Sequence, residues 1–277
     1  MMQLTEIRIH PVKSLGTGIL VNQAVVEERG LQNDRRWMLV DANDGFMTQR
    51  QYPQMALVHV ELNEAGLELW HKTKPELGRV QVPSQPQTDH QIKTDIWGDE
   101  VAVTEASLVA STWLSEALGV PCRLMYQSDS SPRLADQDYT NLPHNVSLAD
   151  GFPYLILGQS TLEDLNSRLN EPVEMARFRP NLVFSGSQAY EEDNWFEFEI
   201  GTAKFLGVKP CARCVMTTVN PEIGVKLGNE PLKTLSTYRQ KNNKIYFGQN
   251  TMAVSIGATI SVGDEVRVTS RKQYLTF

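Results

Sequence analysis

Several features are scarce in this chain of 277 residues, and each shortage makes one class of protein improbable. Cysteine occurs three times, a small and odd number that argues against a framework of disulfides. The longest apolar runs, such as residues 154–157, are far too short to span a membrane. The first residues lack the cationic and apolar segments of a signal peptide, so a cytoplasmic location is expected.

Positive charge is also in the minority. The chain has 26 Lys and Arg residues against 33 Asp and Glu residues, which gives a formal net charge of -7. It contains no basic tract of the kind that binds nucleic acid, so no nucleic-acid partner is expected. An anionic ligand would have to be bound by a few local basic side chains rather than by the field of the whole protein.

Short apolar and alternating segments predict a mainly β protein with a few helices (α+β), arranged as small barrels or sandwiches. Strands are predicted at residues 3–9, 37–41, 57–62, 67–70, 120–126, 152–157, 244–247, 252–256 and 265–268, with further short strands within residues 79–103. Three helices are predicted. The first covers residues 107–118 and ends at Gly119, the second runs from a capping box at residues 160–163 to about residue 169, and the third covers residues 231–238.

A polar segment separates the two halves of the chain. Residues 127–148 are rich in Ser, Asp and Asn and contain Pro132 and Pro143, which predicts a long loop, either a mobile lid or simply irregular. The composition therefore predicts two domains, residues 1–125 and residues 126–277.

The most informative stretch is residues 209–221, with the sequence KPCARCVMTTVNP. Two of the three cysteines flank an arginine there. Apolar and β-branched residues predict strands at residues 203–208 and 215–219, joined by a turn that Pro210 begins. Both thiols would then lie on a tight connection held by a sheet at each end.

Spacing alone leaves four interpretations of Cys211 and Cys214 open. Structural zinc needs four ligands, but Cys122 and the five scattered histidines supply no second pair. A thioredoxin-like pair should precede a helix rather than a strand. A single soft thiolate could bind a soft metal, with Arg213 favouring the thiolate and binding an anion. Both thiols could also be packed without a chemical role.

Other candidates are scattered along the chain and are individually weak. Lys13 and Ser14 lie on a predicted turn and could donate to a phosphate, although a solvated surface lysine is the commoner case. Arg35 could pair on the surface with the adjacent aspartate. Arg179 precedes an apolar strand, so its buried guanidinium would need an anionic partner from the chain or from a ligand. Asn250 could bond to a planar ligand or cap a turn.

Six short blocks, taken together and in this order, resemble the two-domain MOSC family, closest to bacterial relatives of the mitochondrial amidoxime-reducing component. The blocks are residues 11–14 (PVKS), 34–37 (DRRW), 150–153 (DGFP), 178–181 (FRPN), 211–219 (CARCVMTTV) and 247–250 (FGQN). The resemblance implies a β-barrel-like N-terminal domain packed on a MOSC β-barrel domain. It also implies that the molybdenum cofactor (Mo-molybdopterin) binds between the two domains.

The resemblance also implies a role for each matching residue. Cys214 would ligate molybdenum and be the catalytic residue, while Cys211 would support it. The cofactor-binding residues would be Lys13, Ser14, Arg35, Gly151, Phe152, Arg179, Arg213 and Asn250, with Gly151 and Phe152 acting through their backbone.

The function implied is that of a molybdenum-dependent oxidoreductase that removes oxygen from small N-hydroxylated compounds. The chain lacks the four cysteines of the iron–sulfur domain that some relatives append. Electrons are therefore expected from a separate protein of ferredoxin or flavoprotein type. The alternative function is to carry or hand on molybdenum cofactor or sulfur without turnover.

Overall fold

The computed structural model describes residues 1–140 and 143–275. In the first half the strands are β1 (Met2–Ile9), β2 (Ile19–Val21), β3 (Gln23–Glu27), β4 (Gly30–Leu31), β5 (Trp37–Val40), β6 (Val58–Asn63), β7 (Gly66–His71), β8 (Arg79–Pro83), β9 (Gln91–Ile96), β10 (Asp99–Glu105) and β11 (Arg123–Tyr126). In the second half they are β12 (Tyr154–Gly158), β13 (Leu182–Ser185), β14 (Trp195–Ile200), β15 (Ala203–Arg213), β16 (Val219–Asn220), β17 (Val225–Lys226), β18 (Gln240–Lys241), β19 (Lys244–Ala253), β20 (Thr259–Ser261) and β21 (Glu265–Arg271).

Helices are few, which confirms the predicted mainly β class. The α-helices of the described residues are α1 (Leu108–Leu118), α2 (Gln159–Ser167) and α3 (Leu232–Ser236). Short 3-10 helices lie at Pro53–Leu57, Pro75–Leu77, Met175–Phe178, Glu191–Asn194 and Val215–Thr218. With 11 residues, α1 is the longest helix in the described part of the chain, and no helix there has both the length and the apolarity that crossing a membrane requires.

Seven strands of the described residues close into a barrel. Their order is β12-β13-β1-β21-β14-β15-β19, and β19 pairs back onto β12. Large side chains such as Trp195, Phe198 and Phe205 fill its core. Because β1 pairs with β13 and β21, hydrogen bonds join the N-terminal residues to this barrel. The domain boundary between residues 125 and 126 stays a prediction.

The rest of the first half is a curled, barrel-like layer. An antiparallel sheet of β6, β7 and β8 and a second sheet in the order β5-β11-β10-β9 enclose an apolar core together with α1. The prediction of α1 is confirmed at both ends. The Ser107 hydroxyl accepts a hydrogen bond from the Ala110 N–H, and Gly119 ends the helix with φ +71°.

The predicted strand at residues 215–219 is wrong, and so is the turn at Pro210. Strand β15 continues through Pro210 to Arg213, with a register shift next to Pro210 that accommodates its missing N–H. Residues Val215–Thr218 then form a 3-10 helix. The hydroxyls of Thr217 and Thr218 donate to carbonyls three residues earlier, so these threonines close a turn instead of extending a strand.

The polar segment between the halves is irregular, as predicted, and hydrogen bonds of Arg133 hold part of it against the protein. The guanidinium of Arg133 is buried and donates to the carbonyls of Ser147, at 3.0 Å, and Ala149, at 2.5 Å. Buried donors to buried carbonyls hold a loop in place. Arg133 thus fixes part of the segment, whereas residues such as Asp138 and Tyr139 are exposed. The lid stays a prediction, and residues 141 and 142 of the predicted loop lie outside the described residues.

The predicted capping box at residues 160–163 is also wrong, because a buried carboxyl replaces it. Helix α2 begins after Gly158 without a side-chain cap. The carboxyl of Glu192 accepts hydrogen bonds from the Gly158 N–H and the Thr161 hydroxyl, each 3.0 Å long. Burial, and next the neighbouring Asp193, raises the pKa of Glu192 to about 7.

This raised pKa predicts a pH-dependent stability. A carboxyl whose pKa is higher in the folded protein stabilises it fully below the unfolded value of 4.5, and that contribution is lost as the pH rises through about 7. Between pH 4 and pH 8, Glu192 should therefore lower the free energy of unfolding by up to roughly 3 kcal/mol. Urea unfolding of Glu192→Gln should lack this decline, whereas Glu163→Gln, at an exposed position of α2, should retain it. Identical pH profiles for Glu192→Gln and the native chain would contradict the assignment.

Candidate functional site

One cavity is lined by residues from both halves of the chain. Every residue predicted for the site contributes to its lining: Lys13, Ser14, Arg35, Gly151, Phe152, Arg179, Arg213, Cys214 and Asn250, together with Cys211. The structure thus brings these residues together, while their individual roles stay predictions. Further lining residues that the sequence reasoning missed include Thr48, Arg50, Asp150, Asn181, Met216 and Thr217.

Three of the predicted residues are held in the left-handed backbone region, which non-glycine residues seldom adopt. Ser14 has φ +65°, Arg35 has φ +49° and Arg179 has φ +54°. The surrounding structure maintains these conformations through bonds such as that from the Arg35 N–H to the His10 carbonyl, at 2.8 Å. Backbone strain of this kind clusters at functional sites.

Arg179 is a buried cation at the cavity wall. Only 6% of the residue is exposed, and its guanidinium donates to the carbonyls of Gly16, at 2.5 Å, and Leu15, at 3.3 Å. In the described part of the chain no carboxylate forms an ion pair with it. Burial, and next the charge of Arg35, lowers the pKa of Arg179. The sequence left two possible partners for Arg179, a carboxylate of the chain or an anionic ligand. With no such carboxylate among the described residues, an anionic ligand could take this place.

Arg35 does form an ion pair, but not the surface pair that was the alternative to binding. Its Nη1 donates to Asp34 Oδ2 at 2.5 Å, and the Asp34 side chain is fully buried. The same guanidinium donates to the Asn181 side chain, at 3.1 Å, and to the Arg179 carbonyl, at 3.1 Å. These contacts aim Arg35 into the cavity beside Arg179.

Lys13 is buried and shares its ammonium between two oxygens. Its Nζ donates to Asp150 Oδ1 at 2.6 Å and to the Leu148 carbonyl at 2.8 Å. Burial lowers the pKa of Lys13 to about 8, although Asp150 acts in the opposite direction. Burial disfavours the charge of Asp150, but Lys13 and Arg50 outweigh it and hold the pKa of that carboxyl well below its usual range.

The pKa of Lys13 predicts how anion binding depends on pH. Lys13 carries its charge below about pH 8 and loses it above. A bound anion favours the ammonium form of Lys13, so the affinity for sulfate should fall as the pH rises through 8. The charge of sulfate itself is constant in this range, and the expected loss of affinity at pH 10 is roughly tenfold. Calorimetric titration should show a flatter profile for Lys13→Met, with Lys93→Met, on the exposed part of β9, as the control. An equal fall in Lys13→Met would contradict the assignment.

Each of the two thiols has its own guanidinium. Arg213 Nη1 donates to Cys211 Sγ at 3.0 Å, and its Nη2 to the Phe178 carbonyl at 2.5 Å. Cys214 Sγ instead accepts a hydrogen bond of 3.2 Å from Arg50 Nε. The arginine between the cysteines therefore contacts the first thiol, and the partner of the second is 164 residues away in the sequence.

The thiols do not have the geometry of a thioredoxin-like pair. Cys211 lies within β15, and Cys214 precedes a 3-10 helix of four residues rather than an α-helix. Among the described residues, no three His, Cys, Asp or Glu side chains are placed to hold a metal ion together. A metal at Cys214 would therefore need most of its ligands from a non-protein group.

Asn250 reaches the cavity because β19 does not end where predicted. The strand continues through Gly248, which has φ +80°, to Ala253. Asn250 is paired there with Leu155 of β12 and Lys209 of β15. At Gly151, another lining residue, an added Cβ would meet no atom within 4 Å, so its backbone is open to a ligand.

The closed barrel, its barrel-like N-terminal half and the cysteine site between them define the class of this protein: the chain belongs to the two-domain MOSC family. The MOSC domain model matches residues 143–267, and the model of the MOSC N-terminal beta barrel domain matches residues 1–121. Both domains that the six motif blocks predicted are thereby confirmed.

Curated relatives make the comparison more specific. The chain is 34% identical to human mitochondrial amidoxime-reducing component 1 over 280 residues, which cover 95% of this chain and 82% of that protein. It is 32% identical to the Xenopus laevis component 1, over 97% of this chain and 82% of that protein. It is also 33% identical to the molybdenum cofactor sulfurase of Oryza sativa subsp. japonica, over 89% of this chain but only 32% of that longer protein.

Proposed function

We propose that the protein binds a molybdenum–molybdopterin cofactor in the cavity and is an oxidoreductase that reduces small N-hydroxylated compounds. The observation that carries this proposal is the convergence of separate basic side chains on one cavity that also contains a free thiol. The names of the relatives, amidoxime-reducing components and a molybdenum cofactor sulfurase, support the same chemistry.

The charges of the cavity fit a phosphorylated ligand. Among its described lining residues the only carboxylate is Asp150, against five basic side chains: Lys13, Arg35, Arg50, Arg179 and Arg213. A phosphate carries about two negative charges at neutral pH and accepts several hydrogen bonds. Donor capacity is available for it, because among the described residues Arg179 has no carboxylate partner and buried Arg213 Nε has no hydrogen-bond acceptor. The residues present therefore fit the terminal phosphate of a pterin cofactor.

Each part of the site would then have a distinct task. Lys13, Ser14, Arg35, Arg179 and Arg213 would bind the phosphate, while Asn250 and the backbone of residues 151–152 would bind the pterin. Cys214 would ligate the metal as a soft thiolate, with Cys211 in support.

When bound, the cofactor supplies two-electron, oxygen-atom chemistry. The hydrogen bond from Arg50 would orient the Cys214 sulfur and adjust its electron density, as donors beside metal ligands commonly do. Electrons would come from a separate protein of ferredoxin or flavoprotein type. A cytoplasmic location remains a prediction.

A second function is favoured by the similarity to the sulfurase. The protein could carry or hand on molybdenum cofactor or sulfur without turnover. The same cavity would serve this role, because binding alone requires the cations and the thiol but no reducing partner.

The two functions make different predictions for purified protein loaded with cofactor. With reduced methyl viologen as the electron source, a reductase should convert benzamidoxime to benzamidine and consume hydroxylamine. A carrier should show no turnover but should transfer cofactor to an acceptor apoenzyme. Absence of turnover in protein of verified molybdenum content would overturn the reductase proposal.

A further inference from the structure

Trp97 occupies a position that neither its backbone nor its burial explains. It forms, with Gly98, the two-residue connection between β9 and β10, with φ +59° at Trp97 and +97° at Gly98. Hairpin turns with positive φ at both residues favour Asn or Gly at the first position, and a bulky residue there is strained. The residue is also 52% exposed. A tryptophan in such a place needs another reason.

The contacts of the indole ring supply one. Its Nε1 donates to Asp150 Oδ1 at 3.2 Å. The guanidinium of Arg50 lies over its ring, 4.4 Å from the centroid, and the ring of Phe46 packs edge-on at 5.1 Å. Trp97 therefore touches two charged side chains of the cavity, one by a hydrogen bond and one by a cation–π contact.

These two side chains, Arg50 and Asp150, form hydrogen bonds with the proposed metal ligand and with the proposed phosphate-binding lysine. Arg50 Nε donates to Cys214 Sγ, and another nitrogen of the same guanidinium donates to Asp150 Oδ2 at 3.2 Å. Asp150 Oδ1 also accepts the hydrogen bond from Lys13. An arginine side chain is long and flexible, so its position at the sulfur depends on contacts that restrict it.

We propose that Trp97 is a positioning residue of this site, which holds Arg50 against the Cys214 sulfur and Asp150 against Lys13. Its importance for turnover rests on the proposed function. The positioning itself is a property of the protein without cofactor and can be tested there.

Two alkylating reagents of different charge test the position of Arg50. In a Cys211→Ala background, with Cys122 buried, iodoacetate and iodoacetamide report on Cys214. Both react with the same thiolate, so the ratio of their rates at one pH cancels the thiolate fraction and reports the local positive charge. Arg50→Gln should lower the iodoacetate-to-iodoacetamide ratio about threefold or more, and Trp97→Gly should lower it nearly as far.

Stability distinguishes positioning from a merely structural role. Glycine suits the left-handed turn better than tryptophan, so Trp97→Gly should keep the Tm within a few degrees of its parent, or raise it. Asn243→Gly changes a residue with φ +58° in the β18–β19 connection, which does not line the cavity, and should alter neither the Tm nor the ratio much. Arg79→Gln removes a guanidinium that lies 4.6 Å from the Trp70 ring, a matched cation–π pair outside the cavity, and should leave the ratio unchanged.

The outcomes separate clearly. A lowered ratio in folded Trp97→Gly supports the positioning role. If Trp97→Gly does not fold, the same measurement is made on Trp97→Asn. A parental ratio in Trp97→Gly, or no change even in Arg50→Gln, would overturn it. In cofactor-loaded protein, Trp97→Gly should lower kcat/KM by about tenfold. If the native chain shows no turnover but the ratio responds as expected, the proposed function fails and the positioning role stands.

Discussion

Replacing Cys214 with serine should remove molybdenum from the protein and abolish reduction of N-hydroxylated compounds. A serine hydroxyl is a harder and far less acidic ligand than a thiol, so it is a much poorer ligand than a thiolate for the metal. We expect activity to fall by more than about 100-fold, since even changes beside metal ligands cost about 10- to 100-fold. The measurement is molybdenum per protein by mass spectrometry, together with turnover under a chemical reductant.

Cys211→Ser is the matched control for this variant. Cys211 Sγ accepts its hydrogen bond from Arg213, whereas Cys214 is bonded to Arg50. The Cys211 variant should retain most of its molybdenum. Loss of the metal confined to Cys211→Ser would show that the ligand has been assigned to the wrong sulfur.

Arg179→Gln should produce the second large effect, on cofactor retention. The guanidinium is buried and has no carboxylate partner among the described residues, so the proposed phosphate would be its only anion. Removing one member of a buried charge pair costs about 3 kcal/mol, which corresponds to a loss of roughly 100-fold in affinity. The affinity is measured by equilibrium binding of the cofactor to apoprotein under anaerobic conditions.

Arg177→Gln provides the control, because Arg177 lies in the 3-10 helix that ends just before Arg179 but does not line the cavity. It should bind the cofactor with nearly native affinity. Equal losses in both variants would indicate a general effect of positive charge, and native affinity in Arg179→Gln would contradict the phosphate assignment.

Much of this architecture could be predicted from local sequence signals. Alternation of apolar residues marked strands such as β1, and Ser107 with Gly119 marked the ends of α1. The site residues could be named only because several motif blocks occur together. Composition and spacing gave no reason to expect Lys13 and Cys214 in one cavity. They meet there because strands that are distant in the sequence pair in the fold.

The failures have equally physical causes. Proline and glycine usually interrupt strands, but here β15 continues through Pro210 and β19 continues through Gly248, and both strands reach the cavity. Arg50 was missed because its contact with Cys214 spans 164 residues and no local pattern marks it. Asp150 was quoted within a motif block, yet its bonds to Lys13 and Arg50 exist only in the folded chain.

The central claim is that basic side chains from both halves of the chain surround one phosphorylated pterin and leave the Cys214 sulfur facing its metal. A crystal structure of the cofactor-loaded protein, with molybdenum located by anomalous scattering, tests this most directly. The account predicts molybdenum within bonding distance of Cys214 Sγ and a phosphate in contact with Lys13, Arg35 and Arg179. Molybdenum bonded to Cys211, or a cofactor phosphate remote from these three cations, would contradict it.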